Sequence, residues 1–229
     1  MPHPDVIAEK HRLVAEIAGA LSNPVRLRIL GALGQREQSV DQLADRLGLT
    51  GGNASAQLRV LARVHLLRDR REGRRVFYRL AGPEVLQILL AMQDAAAKLT
   101  PGFREMVRTH LGDPRVLSAD EAEGLVARAQ SGELQLVDVR SATDHAAAHL
   151  PGAVSVPLSV LQDRDESAVP LDRERPVVVY CRGRYCLAAA EAVGHLEAMG
   201  FHVTNLFAGV TEVASLGVDL VAEERAPVK

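Results

Sequence analysis

The sequence contains no tryptophan, 3% aromatic residues and two cysteines among 229 residues. The cysteines, Cys181 and Cys186, are too few and too close together for the disulfide framework of a secreted scaffold. No run of about eighteen apolar residues occurs, so no membrane-spanning helix is predicted, and the N-terminus does not resemble a secretory signal. These absences favour a cytoplasmic protein without a membrane partner. In that compartment a close cysteine pair is reactive or metal-binding rather than structural.

Charge is distributed unevenly along the chain. Residues 1–100 carry 15 Lys and Arg against 10 Asp and Glu, a net charge of +5. Residues 101–229 carry 12 against 19, a net charge of −7, so the overall charge of −2 hides a strong asymmetry. The joining of a basic half to an acidic half predicts that only the first half binds a polyanion.

The length and periodicity of the chain predict two domains and a linker. Residues 1–100 show helical periodicity interrupted by two β-rich segments, and residues 115–229 alternate short apolar runs with helical stretches. Breaks that contain proline and glycine mark residues 101–114 as the linker. The expected fold class is a mainly α winged helix-turn-helix with a β-hairpin wing, followed by an α/β domain with a mostly parallel sheet.

The first half has the element order of a DNA-binding winged helix-turn-helix. Two short helices meet at Gly48, and two strands follow around Glu72-Gly73, where glycine allows a tight turn. The second helix of such a pair lies in the major groove, and a basic hairpin suits phosphate contacts or the minor groove. The predicted DNA contacts are Thr50, Asn53, Ser55, Gln57 and Arg59 from the helix, and Arg71, Arg74 and Arg75 from the hairpin.

A resemblance to the ArsR-type repressors covers about residues 10–90. It is carried by the segments ALSNPVRLRILGAL, SVDQLADRLGLT and SAQLRVLARVHLLRDRREGRRVFYRL. The resemblance implies a homodimer whose first and last helices form the interface, and a pseudo-palindromic double-stranded DNA operator. It places the recognition helix at Thr50 to Arg63 and the wing tip at Glu72-Gly73.

The thiol ligands of metal-sensing ArsR-type proteins are missing from this chain. Those proteins carry cysteines in the helix that matches Val40–Leu47, where this chain has none, or carboxylates and histidines on the last helix. His3, His11 and His65 are scattered, whereas a metal needs three or four converging ligands. No metal site and no cofactor are therefore predicted, and a metal-responsive repressor stays as an alternative.

The second half contains a segment that suits an activated thiol. A run of apolar residues ends at Cys181, a loop with one glycine and two arginines follows, and a helix begins near Cys186. Backbone N–H groups of the loop, the helix N-terminus and the two guanidinium groups favour the thiolate of Cys181. The same groups would hold an anionic sulfur donor such as thiosulfate.

A resemblance to the rhodanese family covers about residues 116–218. It is carried by Leu136–Arg140, by His149–Ala153 and by the strand–cysteine–loop–helix segment. It implies that Cys181 is the catalytic nucleophile, which takes up sulfur as a persulfide and passes it to an acceptor thiol. The residues implied around the transferred sulfur are Arg182, Gly183, Arg184, Tyr185 and Cys186.

Two roles stay open for Cys186. It attacks the Cys181 persulfide and releases sulfide, or it is a spectator thiol.

The function predicted for the whole chain is a DNA-binding repressor that responds to reactive sulfur species. Its partners are a double-stranded DNA operator, a sulfane-sulfur donor, an acceptor thiol and a second copy of the chain. An alternative is a sulfurtransferase enzyme that uses the winged-helix half mainly for dimerisation or localisation.

Overall fold

The computed structural model of the protein describes residues 4–112, 117–163 and 166–223. The chain divides into two compact units, Met1–Asp94 and Ala95–Lys229. Residues 101–112 of the predicted linker belong to the second unit, where most of them form a helix. The last two residues of that linker, 113 and 114, lie outside the described residues.

The first unit is a helical bundle with a small antiparallel sheet. Its second helix begins at a cap in which the Asn23 side chain accepts the N–H groups of Val25 and Arg26. A Ser39–Gln42 capping box begins the third helix. The elements are α1 Pro4–Leu21, α2 Pro24–Leu33, β1 Gln38–Ser39, α3 Val40–Leu47, α4 Gly51–Arg63, β2 Leu67–Glu72, β3 Arg75–Leu80 and α5 Pro83–Leu99.

The turn between α3 and α4 and the hairpin are those of a winged helix-turn-helix. Gly48 has a φ of 63°, and Gly73 at the hairpin tip has a φ of 60°, a region that favours glycine. The sheet order is β1-β3-β2. The predicted fold class of the first half is confirmed. β1 was missed because a two-residue strand has no periodicity.

The second unit is an α/β domain built on a four-stranded parallel sheet of order β5-β4-β6-β7. Short β-rich runs alternate with helices, as parallel pairing requires. Its elements are α6 Pro101–His110, α7 Ala119–Gln130, β4 Gln135–Asp138, α8 Ala142–Ala147, β5 Ala153–Ser155, α9 Leu158–Gln162, a 3-10 turn Glu166–Ala168, β6 Val177–Cys181, α10 Leu187–Ala198, β7 Val203–Gly209 and α11 Val210–Ser215.

Both faces of this sheet are buried. On β6, Val179 and Cys181 belong to an apolar cluster with Ala189 and Ala192 of α10, whereas Tyr180 belongs to a cluster on the opposite face. This alternation explains why the central strands are apolar almost throughout. The predicted α/β class with a mostly parallel sheet is confirmed.

Candidate functional site

The two cysteines lie at the carboxyl end of the parallel sheet. Cys181 is the last residue of β6 and is 1% exposed, whereas Cys186 is half-buried and precedes α10 directly. They form a disulfide in the structure, with a Cα–Cα separation of 6.3 Å. The sheet order reverses direction between β4 and β6, and open α/β sheets bind ligands beyond the carboxyl ends of the strands at such a point.

The loop between the cysteines is partly committed to contacts within the protein. Arg182 is exposed, and the other three loop residues are half-buried. The N–H group of Arg184 donates to Glu212 Oε2 at 3.1 Å, and the N–H group of Cys186 donates to the Gly183 carbonyl at 3.1 Å. Two of the N–H groups expected to cradle an anion are therefore occupied in this state of the loop.

Glu212 connects the loop to the end of the neighbouring strand. Its Oε2 also accepts the N–H group of Gly209 at 2.7 Å, and its Oε1 lies 3.5 Å from Nη2 of Arg184. The carboxylate partly offsets the charge of Arg184, whose side chain is 14% exposed. Arg182 differs from Arg184 in that it is exposed.

Gly209 allows the loop to lie directly against β7. A Cβ atom at this position would lie 2.6 Å from the backbone nitrogen of Gly183 and still closer to the carbonyl of Arg182. Cβ atoms essentially never approach other atoms so closely, so a larger residue would displace the loop. Gly209 is also the register partner of Cys181 across β6 and β7.

A buried charged cluster lies beneath the carboxyl ends of β4 and β6. Arg140 Nη2 donates to Asp138 Oδ2 at 2.6 Å, and these side chains are 1% and 0% exposed. The Tyr180 hydroxyl donates to the same oxygen at 2.9 Å, and His145 Nδ1 lies 3.1 Å from it. The cluster joins the end of β4 to the residue directly before Cys181, in keeping with a structural role for Asp138 and Arg140.

The pKa of Asp138 is lowered by this cluster. Burial by itself raises the pKa of the carboxyl group, but the bonds to His145 and Arg140 and the charge of Arg140 outweigh it. Burial is also the main reason why the pKa of Tyr180 is raised. At neutral pH the cluster therefore contains an ionised Asp138 and a neutral Tyr180.

The predicted DNA-contacting residues of α4 differ in exposure. The Thr50 side chain begins the helix by accepting the N–H group of Asn53 at 3.2 Å, and both residues are exposed. Arg59 is exposed as well, whereas Ser55 and Gln57 are half-buried. The helix buries its opposite face in the core through Ala54, Leu58 and Leu61.

Gln57 is held by its neighbours. Its Oε1 accepts Nη1 of Arg26 at 3.1 Å, and its Nε2 donates to Asn53 Oδ1 at 3.2 Å. Arg63 was not among the predicted contacts, yet it is exposed and lies four residues after Arg59 on the same helix. Residues four apart share a helix face, so this spacing was available as a signal.

The hairpin presents the three predicted arginines to solvent. Arg71, Arg74 and Arg75 are exposed, and none of them forms an ion pair with another residue in the described part of the chain. Arg70 differs from them. It pairs with Glu37 at 2.7 Å and Glu72 at 2.6 Å, and it lies 4.5 Å from the centre of the Phe77 ring.

Glu212 and Gly209 contact the cysteine loop but were not predicted from the sequence. The spacing of the two residues suits a helix-start motif, and their backbone–carboxylate bond is present in the structure. The bond from Arg184 to Glu212 joins residues that are 28 positions apart, and no local sequence pattern reveals it.

The described ranges contain neither a metal-binding cluster nor a membrane-spanning helix. Over residues 4–112, 117–163 and 166–223, no three His, Cys, Asp or Glu side chains are grouped so as to hold a metal ion. His3, one of the scattered histidines of the first half, lies outside those ranges. No helix in them combines the length and the apolar character needed to cross a membrane.

Family models match the two halves of the chain separately. A helix-turn-helix domain model matches residues 21–70, and a rhodanese-like domain model matches residues 121–216. A winged helix-turn-helix joined to a rhodanese-like domain defines a transcriptional regulator with an added α/β module.

One curated relative matches nearly the whole chain, and others match its first half. The HTH-type transcriptional regulator Rv0324 of Mycobacterium tuberculosis is 36% identical over 215 residues, which cover 94% of this chain and 92% of that protein. The transcriptional repressor SmtB homolog of Synechocystis is 35% identical over 92 residues, or 40% of this chain and 70% of that protein. A solved homodimeric winged helix-turn-helix DNA-binding domain from Mycobacterium bovis is 34% identical and covers 44% of this chain and 94% of that chain, with a TM-score of 0.41.

The chain belongs to the ArsR-type helix-turn-helix transcriptional regulators that carry a C-terminal rhodanese-like domain.

Proposed function

We propose that this regulator is a repressor whose affinity for its operator responds to sulfane sulfur taken up at Cys181. The observation that carries the proposal is the position of this thiol. Cys181 ends a buried central strand, beneath a loop with an exposed arginine and beside the N-terminus of α10. Positive charge and a helix N-terminus favour a thiolate, the reactive form of cysteine.

The chemical step is a transfer of sulfur to Cys181. The thiolate attacks the outer sulfur of a donor such as thiosulfate. The sulfur–sulfur bond of the donor breaks, and sulfite leaves with the electron pair of that bond. Cys181 then carries a persulfide, and Arg182, as the exposed cation of the loop, offsets its negative charge. An acceptor thiol removes the sulfur in the second step.

The DNA-binding part of the proposal rests on α4 and the hairpin. The exposed Asn53 and Arg59 would face base edges in the major groove, and the hairpin arginines would contact phosphates. The regulator would act in the cytoplasm, where it would bind its operator.

A homodimer would present two such helices to a pseudo-palindromic operator. The exposed apolar side chains of the first unit favour self-association. Val6 and Val14 on α1 are 63% and 61% exposed, and Ile88 and Met92 on α5 are 36% and 39% exposed. Apolar surface of this kind is typical of an interface. Sedimentation of the full chain checks the dimer, and a monomer at micromolar concentration would contradict it.

A sulfurtransferase enzyme is the second candidate, and the match of residues 121–216 to the rhodanese-like domain supports it. In that case Cys181 would turn over rapidly with thiosulfate and a thiol acceptor. Loading of sulfur would leave DNA binding unchanged.

The deciding experiment measures DNA affinity and the mass of the protein together. The full chain is reduced, bound to DNA from its own promoter region, and treated with polysulfide. We expect the affinity to change in proportion to the fraction of chains whose mass shows reaction at Cys181, either by a retained sulfur or by the loss of two hydrogens. A Cys181→Ser variant is expected to keep the affinity of the reduced protein and to lose the response. Complete reaction at Cys181 with unchanged affinity would overturn the regulatory proposal and favour the enzyme.

A further inference from the structure

We infer that Cys186 is a second reacting thiol, which converts the persulfide of Cys181 into a disulfide and releases sulfide. The inference rests on the proposed uptake of sulfur at Cys181. It gives the domain a reductive activity towards sulfane sulfur in addition to sulfur transfer. It also chooses between the two roles that the sequence left open for Cys186.

The separation of the two backbones suits a disulfide. The Cα atoms of Cys181 and Cys186 lie 6.3 Å apart, within the range of about 4.4–6.8 Å that protein disulfides span. The loop conformation in this structure therefore accommodates a bond between the two sulfur atoms. These are also the only cysteines of the chain, so neither has another intrachain partner.

The environment of Cys186 suits an attacking thiol. Cys186 is the N-cap residue of α10, a helix of 12 residues, and its side chain makes no capping hydrogen bond there. A helix N-terminus stabilises a nearby thiolate. Cys186 is half-buried whereas Cys181 is 1% exposed, so Cys186 is the thiol that an external reductant reaches more easily.

The reaction balances without an additional oxidant. The thiolate of Cys186 attacks the Sγ atom of the Cys181 persulfide and forms the Cys181–Cys186 bond. The bond between Sγ and the outer sulfur breaks, and the outer sulfur leaves with the electron pair of that bond. It takes up the proton that the Cys186 thiol gave up on ionisation, and so is released as hydrosulfide. The sulfane sulfur is reduced by two electrons, and the two cysteines are oxidised to the disulfide. A dithiol reductant restores both thiols by disulfide exchange.

The test separates the two steps by their leaving groups. The full chain is reduced, freed of reductant without oxygen, and mixed with one equivalent of thiosulfate or, separately, glutathione persulfide. Neither donor releases sulfide in the first step, because thiosulfate leaves sulfite and glutathione persulfide leaves glutathione. Wild-type protein is expected to release one sulfide per chain and to become lighter by two hydrogens.

A Cys186→Ser variant is expected to stop after the first step. It should release the donor's leaving group and become heavier by one sulfur, with sulfide release reduced at least tenfold. A Leu187→Ala variant changes an exposed neighbour of Cys186 and should behave as wild type. A stable sulfur adduct on the wild-type chain without sulfide would overturn the role of Cys186 alone. No leaving group and no adduct with either donor would overturn the proposed uptake at Cys181, and this inference with it.

We also infer from a separate contact that α6 responds to the state of the loop. Phe103 in the first turn of α6 meets Tyr185 edge to face, with ring centres 5.4 Å apart and planes at 79°. Tyr185 is bonded directly to Cys186, and only Thr100 separates α6 from the end of α5. A shift of Cys186 on disulfide formation therefore displaces the ring against which Phe103 packs.

A Phe103→Leu variant tests this second inference. It should form the disulfide and release sulfide as wild type does, because the ring of Phe103 packs on Tyr185 and the two reacting sulfur atoms stay in place. The change in DNA affinity on sulfur treatment should fall at least threefold, whereas an Arg108→Ala variant on an exposed part of α6 should keep it. A full response in Phe103→Leu would overturn the role of α6. An absent response in the wild type would overturn the proposed function itself.

Discussion

The two units of this regulator use charged side chains in opposite ways. Arg71, Arg74 and Arg75 of the first unit are exposed and form no ion pair in the described part of the chain. In the second unit, Asp138 and Arg140 are almost fully buried and bonded to each other. Exposed cations attract a polyanion such as DNA and contribute little to the stability of the fold. Buried, paired charges hold strand ends in place, and breaking such a pair is costly.

The largest expected effect comes from breaking the buried pair. Arg140→Met should lower the free energy of unfolding of the second unit by about 3–5 kcal/mol, because it leaves the Asp138 carboxylate buried without its cation. The substitution also removes the bond of Arg140 to the Ala148 carbonyl. Urea unfolding followed by a signal from the second unit measures the change.

An exposed pair in the same unit provides the control. Arg173 pairs with Glu166, and their side chains are 51% and 59% exposed. Arg173→Met should therefore change stability by about 1 kcal/mol or less. Equal losses of stability in Arg140→Met and Arg173→Met would show that buried and exposed ion pairs contribute equally to this unit.

Acid should act on the second unit through the same cluster. The pKa of Asp138 is lower in the folded protein than in the unfolded chain, so its ionised form contributes stability above the unfolded pKa. This contribution is lost as the pH falls through the folded pKa. Arg140→Met removes a cause of the lowered pKa, so less stability is linked to the ionisation of Asp138, and the unfolding midpoint of the variant should fall less over the acid range than that of wild type. If the unfolding midpoints of wild type and Arg140→Met change in parallel between about pH 7 and pH 3, the acid effect does not come from Asp138.

Local patterns predicted most of the fold, and their limits are physical. Caps and apolar spacing are local, so they located α3 and the beginning of α10 almost to the residue. The alternation of short apolar runs with helices indicated a parallel sheet before any pairing was known. β1 escaped because it has two residues, and its pairing with β3 is set by tertiary contact.

The sites were predictable only in part. The strand–cysteine–loop–helix order indicated Cys181, because that order is contiguous in sequence. The bond from Arg184 to Glu212, the close approach of Gly209 to the loop and the contact of Phe103 with Tyr185 depend on chain segments that meet only in the folded domain. The hydrogen bond between Arg26 and Gln57 also joins segments that are distant in the sequence. Local sequence patterns therefore did not show that the Gln57 side chain is held by a neighbour.

The smallest effect concerns the exposed charges of the first unit. Arg74→Ala combined with Arg75→Ala should weaken DNA binding by about tenfold near 0.15 M salt and leave stability unchanged. The slope of log affinity against log salt should flatten by about 0.9 for each phosphate that the variant no longer neutralises. Because phosphate contacts carry no sequence information, binding should weaken equally for operator and unrelated DNA. Titrations of both DNAs at several salt concentrations measure the affinities and the salt slope.

Net charge alone would also weaken binding, so the control removes the same charge elsewhere. Arg108→Ala combined with Arg128→Ala changes two exposed arginines of the second unit. If the hairpin arginines act by direct contact, this variant keeps the wild-type salt slope, because only charges that neutralise phosphates contribute to that slope. Equal flattening in both variants would mean that the whole charge of the chain sets the affinity. The hairpin would then lose its place in the DNA-binding interface, while the buried cluster of the second unit would keep its role.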